Sequence, residues 1–152
     1  MQLPFAIIED GAPEAMRIPS WMAHPNSVRS IATLHLRTFD LPRTVAELSA
    51  ISPDATVPTF SGTASYAMGN VTLALHEAPT DMFLQEVSAV IPGRKGPSLL
   101  ALEFGATDLS AAADCLKTSG LRFSAYSEWL AVHATEGFGC GIIIRQTQGV
   151  GN

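Results

Sequence analysis

An internal repeat limits the possible folds of this chain more than any other feature. Ile31–Thr38 is a strand-like apolar run that leads into Asp40-Leu41, and Leu99–Ala106 is a similar run that leads into Asp108-Leu109, 68 residues later. Each aspartate is placed to accept hydrogen bonds from the first turn of a following helix, where apolar residues recur at helical spacing. The repeat therefore predicts two copies of one strand–helix unit.

Each copy continues with further strands. In the first copy, Thr63–Met68 and Val71–Leu75 flank Gly69-Asn70, which is a hairpin signal. The second copy has three strand-like runs, Leu121–Ser124, Trp129–Ala134 and Cys140–Thr147. These patterns predict an α+β fold of two tandem βαβββ modules.

The modules divide the chain into four segments. Residues 1–27 are expected to form an N-terminal strand, Leu3–Ile8, and an extended arm that is kept open by prolines. Residues 28–78 form the first module, 79–97 a linker with a short helix, and 98–148 the second module. An isolated strand has to pair, so we expect Leu3–Ile8 to join the sheet edge of its own chain or of a neighbouring subunit.

Composition narrows the class of protein. Of 152 residues, 47% are apolar and 15% charged, with a net charge of −5, which excludes a disordered chain and a basic surface for nucleic acid or an anionic membrane. The apolar excess favours a homodimer. We predict a cytoplasmic protein without a membrane span, because the sequence has two scattered cysteines, no basic leader and no long apolar run.

The order of these elements resembles the glyoxalase-like domain proteins of the vicinal oxygen chelate superfamily, which includes glyoxalases, bleomycin-resistance proteins and extradiol dioxygenases. The resemblance covers residues 3–147 and rests on Leu3–Ile8, His24-Pro25-Asn26, Ile31–Leu41 and Asp108-Leu109. It implies two modules side by side, whose curved mixed sheets surround one concave pocket. In such relatives a Leu-Pro-Phe run closes a preceding module, so this chain is expected to be a C-terminal piece or a separately encoded half.

The resemblance also predicts that the usual metal site is missing. Metal-dependent members carry one ligand early on the first strand of each module, which here gives Thr33 and Ala101, and others on the last strands, which gives Ala74 and Ile143. Alanine and isoleucine have no donor atom, and a neutral threonine hydroxyl is a poor ligand. We therefore expect no metal and no other cofactor.

Strand alternation assigns polar side chains to the pocket. On the first strand Thr33, His35 and Arg37 share the face turned away from the helix, and Glu103 lies 68 residues after His35, so these two should meet near the pseudo-twofold axis. The other candidate pocket residues are His76, Trp129, His133 and Arg145.

Three interpretations of these residues stay open. Glu103 could form a structural ion pair with Arg37 or Arg145, with a histidine hydrogen-bonded nearby. Alternatively, one of these arginines anchors an anionic ligand that His35 orients, in a pocket without metal. In the third interpretation His35, His76 and Glu103 form a shifted metal site in a lyase, isomerase or dioxygenase.

The first-ranked function is binding of a small organic ligand in a concave pocket without metal. The alternatives are the metal-dependent enzyme just described and an interaction subunit that donates its N-terminal strand to a partner. The sequence has neither a nucleophile elbow nor a phosphate-binding glycine loop, so it assigns no catalytic residue.

Overall fold

The computed structural model describes residues 24–51, 59–60, 62–78, 82–88, 98–137 and 139–147. The expected N-terminal strand, most of its arm and most of the expected linker lie outside the described residues. The first half of the chain contains β1 (Val28–Arg37), α1 (Leu41–Ile51), β2 (Thr59–Phe60), β3 (Thr63–Met68) and β4 (Val71–His76). A short helix, α2 (Met82–Val87), lies between the halves, and the second half contains β5 (Ser98–Ala106), α3 (Leu109–Thr118), β6 (Ser124–Ala125), β7 (Trp129–Val132) and β8 (Gly141–Gln146).

All eight strands form one sheet in the order β2-β3-β4-β1-β5-β8-β7-β6. The two central strands, β1 and β5, are antiparallel to each other. On the outer side of each, β4 is parallel to β1 and β8 is parallel to β5. The two halves therefore have the same βαβββ topology, which confirms the fold that the repeat predicted.

Local signals in the sequence fix the start of both longer helices and the end of α3. A carboxylate oxygen of Asp40 accepts from the amide of Arg43 at 3.0 Å, and Asp108 accepts from the amides of Ser110 and Ala111 at 2.8 and 3.1 Å. Both aspartates are therefore the predicted N-caps. Gly120, whose φ is +71°, ends α3 in a left-handed conformation that costs glycine little.

The helices α1 and α3 cover one face of the sheet, here called the convex face. The buried apolar side chains between α1 and the sheet are Leu36, Leu41, Leu48, Ala64, Tyr66, Leu73 and Leu75. Those between α3 and the sheet are Ala106, Ala112, Leu130 and Ile144. The alternate side chains of these strands belong to the opposite, concave face, where the candidate residues lie.

Several strand boundaries differ from the sequence prediction. β6 is only Ser124–Ala125 and β7 ends at Val132, because the chain then turns and the amides of Glu136 and Gly137 donate to the carbonyl of His133. The pairing of β1 with β5 also shifts register between Ile31 and Thr33, so Ile31 instead of Ala32 lies opposite Phe104. Hydrophobic periodicity does not reveal such bulges, because they insert one residue without changing composition.

Candidate functional site

Four polar side chains meet on the concave face and are here called the central cluster: His76 on β4, His35 on β1, Glu103 on β5 and Arg145 on β8. Nδ1 of His35 lies 3.2 Å from Nε2 of His76, and Nε2 of His35 lies 3.3 Å from Oε2 of Glu103. The second carboxylate oxygen of Glu103 accepts from Nε of Arg145 at 2.7 Å. The cluster thus crosses four neighbouring strands and both modules.

The central cluster runs from the interior to solvent. His35 and His76 are 5% and 3% exposed, whereas the Arg145 side chain is 37% exposed. Burial alone raises the pKa of Glu103, but the hydrogen bond with His35 and the charge of Arg145 more than offset this, so the pKa lies below its ordinary value. Glu103 is therefore ionised at neutral pH.

The ionised carboxylate determines how protons are arranged along the cluster. Because Glu103 can only accept, neutral His35 carries its proton on Nε2 and donates it to that carboxylate. In this neutral form, Nδ1 of His35 accepts from Nε2 of His76. Both ring nitrogens of His35 are engaged within the protein, as in the structural pairing that the sequence left open.

This arrangement does not converge on a metal position. One imidazole ring cannot direct both nitrogens at the same ion, and His35 turns one toward His76 and the other toward Glu103. Across the part of the chain that the structure describes, no group of three His, Cys, Asp or Glu side chains is placed to hold a metal ion. The three residues as arranged do not fit the shifted metal site.

The positions of the superfamily's ligands do not fit a metal either. Ala101 and Ile143 are fully buried and Ala74 nearly so, and none of the three has a donor atom. Only Thr33, which pairs with Glu103 across the sheet, has a side-chain oxygen.

Sequence reasoning did not identify what covers the apolar residues on the concave face of the second module. The side chains of Leu84 and Val87 on α2 are fully buried and pack against Ala101, Ala131 and Ile143. The concave face of the second module is thus covered by a segment of the same chain. The sequence predicted a short helix here, but apolar spacing does not tell against which surface a helix packs.

Gly141 makes this packing possible. A Cβ atom at this position would lie 2.6 Å from Cγ2 and 2.8 Å from Cβ of Val87, both much closer than normal contacts. We expect Gly141→Ala to lower the free energy of unfolding by about 1–3 kcal/mol, because α2 has to move outward. Chemical denaturation measures this change. The control is Ala67→Ser, on the exposed surface of β3. Gly69→Ala is unsuitable as a control, because the φ angle of Gly69 is positive. An unchanged midpoint for Gly141→Ala would contradict the close packing.

The remaining candidate residues divide between the centre and the edge of the sheet. Arg37 places its guanidinium 4.7 Å from the centre of the Phe39 ring. Trp129 stacks on Tyr126 and lies 5.9 Å from the guanidinium of Arg145, so it borders the central cluster. His133 is exposed and hydrogen-bonds Thr135 at 2.9 Å, in a separate cleft beyond β7.

The paired βαβββ modules and their shared sheet are the glyoxalase-like fold. Solved structures support this. The chain is similar to methylmalonyl-CoA epimerase from Mycobacterium tuberculosis, with 15% identity and a TM-score of 0.53 over 84% of this chain and 93% of the epimerase. It is also similar to a Streptomyces coelicolor methylmalonyl-CoA epimerase in complex with 2-nitronate-propionyl-CoA, with 17% identity and a TM-score of 0.54 over 81% and 100% of the two chains.

A hypothetical protein from Bacillus halodurans has the same fold, with 11% identity and a TM-score of 0.53 over 81% of this chain and 97% of its own. No family model matches the sequence, and no curated protein matches it. Within the described ranges, no helix has the length and apolar character needed to cross a membrane.

Proposed function

We propose that this protein binds a small organic molecule with a carboxylate or similar anionic group on the concave face of the first module, without a metal at the superfamily's ligand positions. The observation that carries the proposal is Arg37. Its Nε atom is buried and has no hydrogen-bond acceptor among the described residues. A buried donor without an acceptor costs about 1–3 kcal/mol, and an anionic ligand would supply the missing acceptor.

The electrostatics of the central cluster favour Arg37 over Arg145 as the anchor. Glu103 already pairs with Arg145, which neutralises that guanidinium. Arg37 forms no ion pair with any described residue, and its contact is with the ring of Phe39. A guanidinium in this state can offer two parallel N–H groups to a carboxylate, which is its strongest mode of recognition.

The floor beside Arg37 is lined with small side chains. On neighbouring strands, Ser65 of β3 lies opposite Ala74 of β4, which lies opposite His35 of β1. Thr72 of β4 lies opposite Thr33 of β1. Apart from His35, none of these residues has a side chain larger than that of threonine. The second module differs, because Leu84 and Val87 fill the corresponding space.

The names of similar structures suggest a first set of probes. Two of these epimerases are described as complexes, one with 2-nitronate-propionyl-CoA and one with methylmalonyl-CoA and NH4+. Both ligands are acyl-CoA esters with an additional anionic group on the acyl chain. We therefore infer that small carboxylates, tested as free acids and as CoA esters, are the appropriate ligand class with which to begin.

Arg37→Met tests this proposal. We expect the dissociation constant of a bound carboxylate, such as methylmalonate or its CoA ester, to rise roughly 10- to 100-fold, since a charge-assisted hydrogen bond is lost. Isothermal titration calorimetry measures this, and Arg43→Met is the matched control because Arg43 is an exposed arginine on α1 that pairs with Glu47. Equal affinity in wild type and Arg37→Met would remove the basis of the proposal.

The same titration separates ligand binding from the metal-dependent alternative. If a metal were required, treatment with a chelator would abolish binding and His35→Ala would lower the metal content of the purified protein. We expect chelation to leave the affinity for the carboxylate unchanged. Stoichiometric metal that is lost in His35→Ala would establish the shifted His35, His76 and Glu103 site instead.

We also infer a homodimer in the cytoplasm. Large apolar side chains at Ile31, Phe39, Ile51 and Met68 are more than two-fifths exposed, which favours burial against a second copy. Sedimentation of the full chain, and of a chain truncated by residues 1–10, tests both the dimer and the expectation that the N-terminal strand completes a partner's sheet. A monomer at micromolar concentration would contradict the inference.

A further inference from the structure

A second cleft lies on the concave side of the second module, apart from Arg37 and the central cluster. It has a volume of about 400 Å³, within the range of small-molecule sites. Val87 and Ala131 are buried, so Phe123 supplies the accessible apolar surface. The polar residues around it are Glu86, Arg122, Ser124, His133, Thr135 and Glu136. One partly exposed aromatic side chain and a mostly polar rim therefore line the cleft.

The polar side chains of the rim are already held in place. Glu136 accepts from Nε of Arg122 at 2.8 Å, and Glu86 accepts from the hydroxyl of Tyr126. Nδ1 of His133 accepts from the amide of Thr135 at 3.2 Å, so the neutral ring carries its proton on Nε2 as a donor. A rim fixed by its own hydrogen bonds has less conformational entropy to lose when a ligand binds.

The charges of the rim indicate which ligands it favours. Arg122 and Glu136 neutralise each other, whereas Glu86 has no cationic partner among the described residues. The cleft is therefore anionic at neutral pH. From this we propose that it is a second ligand site, for a primary amine with an apolar or aromatic body, in which Glu86 binds the ammonium group and Phe123 contacts the body.

The test is titration of the isotope-labelled full chain with phenethylamine, followed by amide NMR. We expect chemical shift changes at Val87, Ala131 and His133, and an affinity that falls with added salt because the rim is solvent-exposed. The neutral analogue 2-phenylethanol should bind about three- to tenfold more weakly, as should phenethylamine to Glu86→Gln. Glu86→Gln retains an acceptor for Tyr126, so its fold is expected to be unchanged.

Glu128→Gln is the matched control, because Glu128 is an exposed carboxylate of the same module that does not line this cleft. It should bind phenethylamine as the wild type does. Equal affinity for the amine and the alcohol, equal affinity in Glu86→Gln and wild type, or shifts confined to residues outside the cleft would each overturn the proposal. The Arg37 variants leave this result unchanged, so failure here and failure of the proposed function are distinguishable.

Discussion

Glu103→Leu is expected to destabilise the protein by about 2–4 kcal/mol in the free energy of unfolding. The substitution removes the acceptor of His35 and the partner of Arg145 together. Removing one partner of a buried ion pair typically costs about 3–5 kcal/mol, and here the exposed side of Arg145 reduces the penalty. Urea denaturation at neutral pH measures the loss.

The matched control is Glu47→Leu, which breaks the pair between Glu47 and Arg43 on the surface of α1. An exposed pair of this kind contributes only about 0.3–0.5 kcal/mol. If Glu103→Leu costs no more than Glu47→Leu, the central cluster does not stabilise the fold and its geometry has another explanation.

The pH dependence of Glu103→Gln gives a second readout of the same interaction. The pKa of Glu103 is lowered from 4.5, so its contribution to stability is fully present above that value and is lost as pH falls through the folded-state pKa. The difference between wild type and Glu103→Gln should therefore be largest near pH 6 and smaller at pH 3. A difference that grows on acidification would contradict the lowered pKa.

Leu84→Ala is the second change with a large expected effect, about 2–5 kcal/mol in the free energy of unfolding. Leu84 is fully buried between α2 and the concave face of the second module, and alanine leaves a cavity that this short helix cannot refill. Thermal and urea denaturation measure the loss. Leu84→Met is the control, since it nearly conserves volume and should cost less than about 1.5 kcal/mol.

A loss below 1 kcal/mol for Leu84→Ala would mean that α2 does not hold the second module in the way its contacts indicate. Ligand binding at Arg37 provides an independent check. The first module does not use Leu84 in its packing, so a folded Leu84→Ala protein should retain affinity for a carboxylate near the wild-type value.

Sequence reasoning succeeded where a short stretch of chain determines the outcome. The aspartate caps at Asp40 and Asp108, the stop at Gly120 and the hairpin at Gly69-Asn70 depend on neighbouring residues, and the structure confirms all of them. The repeat of 68 residues then predicted the approach of His35 to Glu103, which the structure confirms at 3.3 Å.

Prediction was less accurate where the outcome depends on contacts between segments that are far apart in the chain. The bulges between β1 and β5 shift the register, although the two strands read as regular alternations. The packing of α2 on Ala101 and Ile143 was not foreseen either, because apolar spacing indicates that a helix face is buried but not what it is buried against.

From the sequence, then, come the duplicated modules and the polar residues of the concave face. The family resemblance added the metal positions, and three of them, Ala74, Ala101 and Ile143, lack a donor atom. Only the tertiary structure decided that Arg145, and not Arg37, pairs with Glu103, and that α2 closes one of the two concave surfaces. The physical reason is that both outcomes depend on distances between strands and helices far apart in the chain. Local periodicity and residue chemistry do not specify such distances, which are set only by the complete fold.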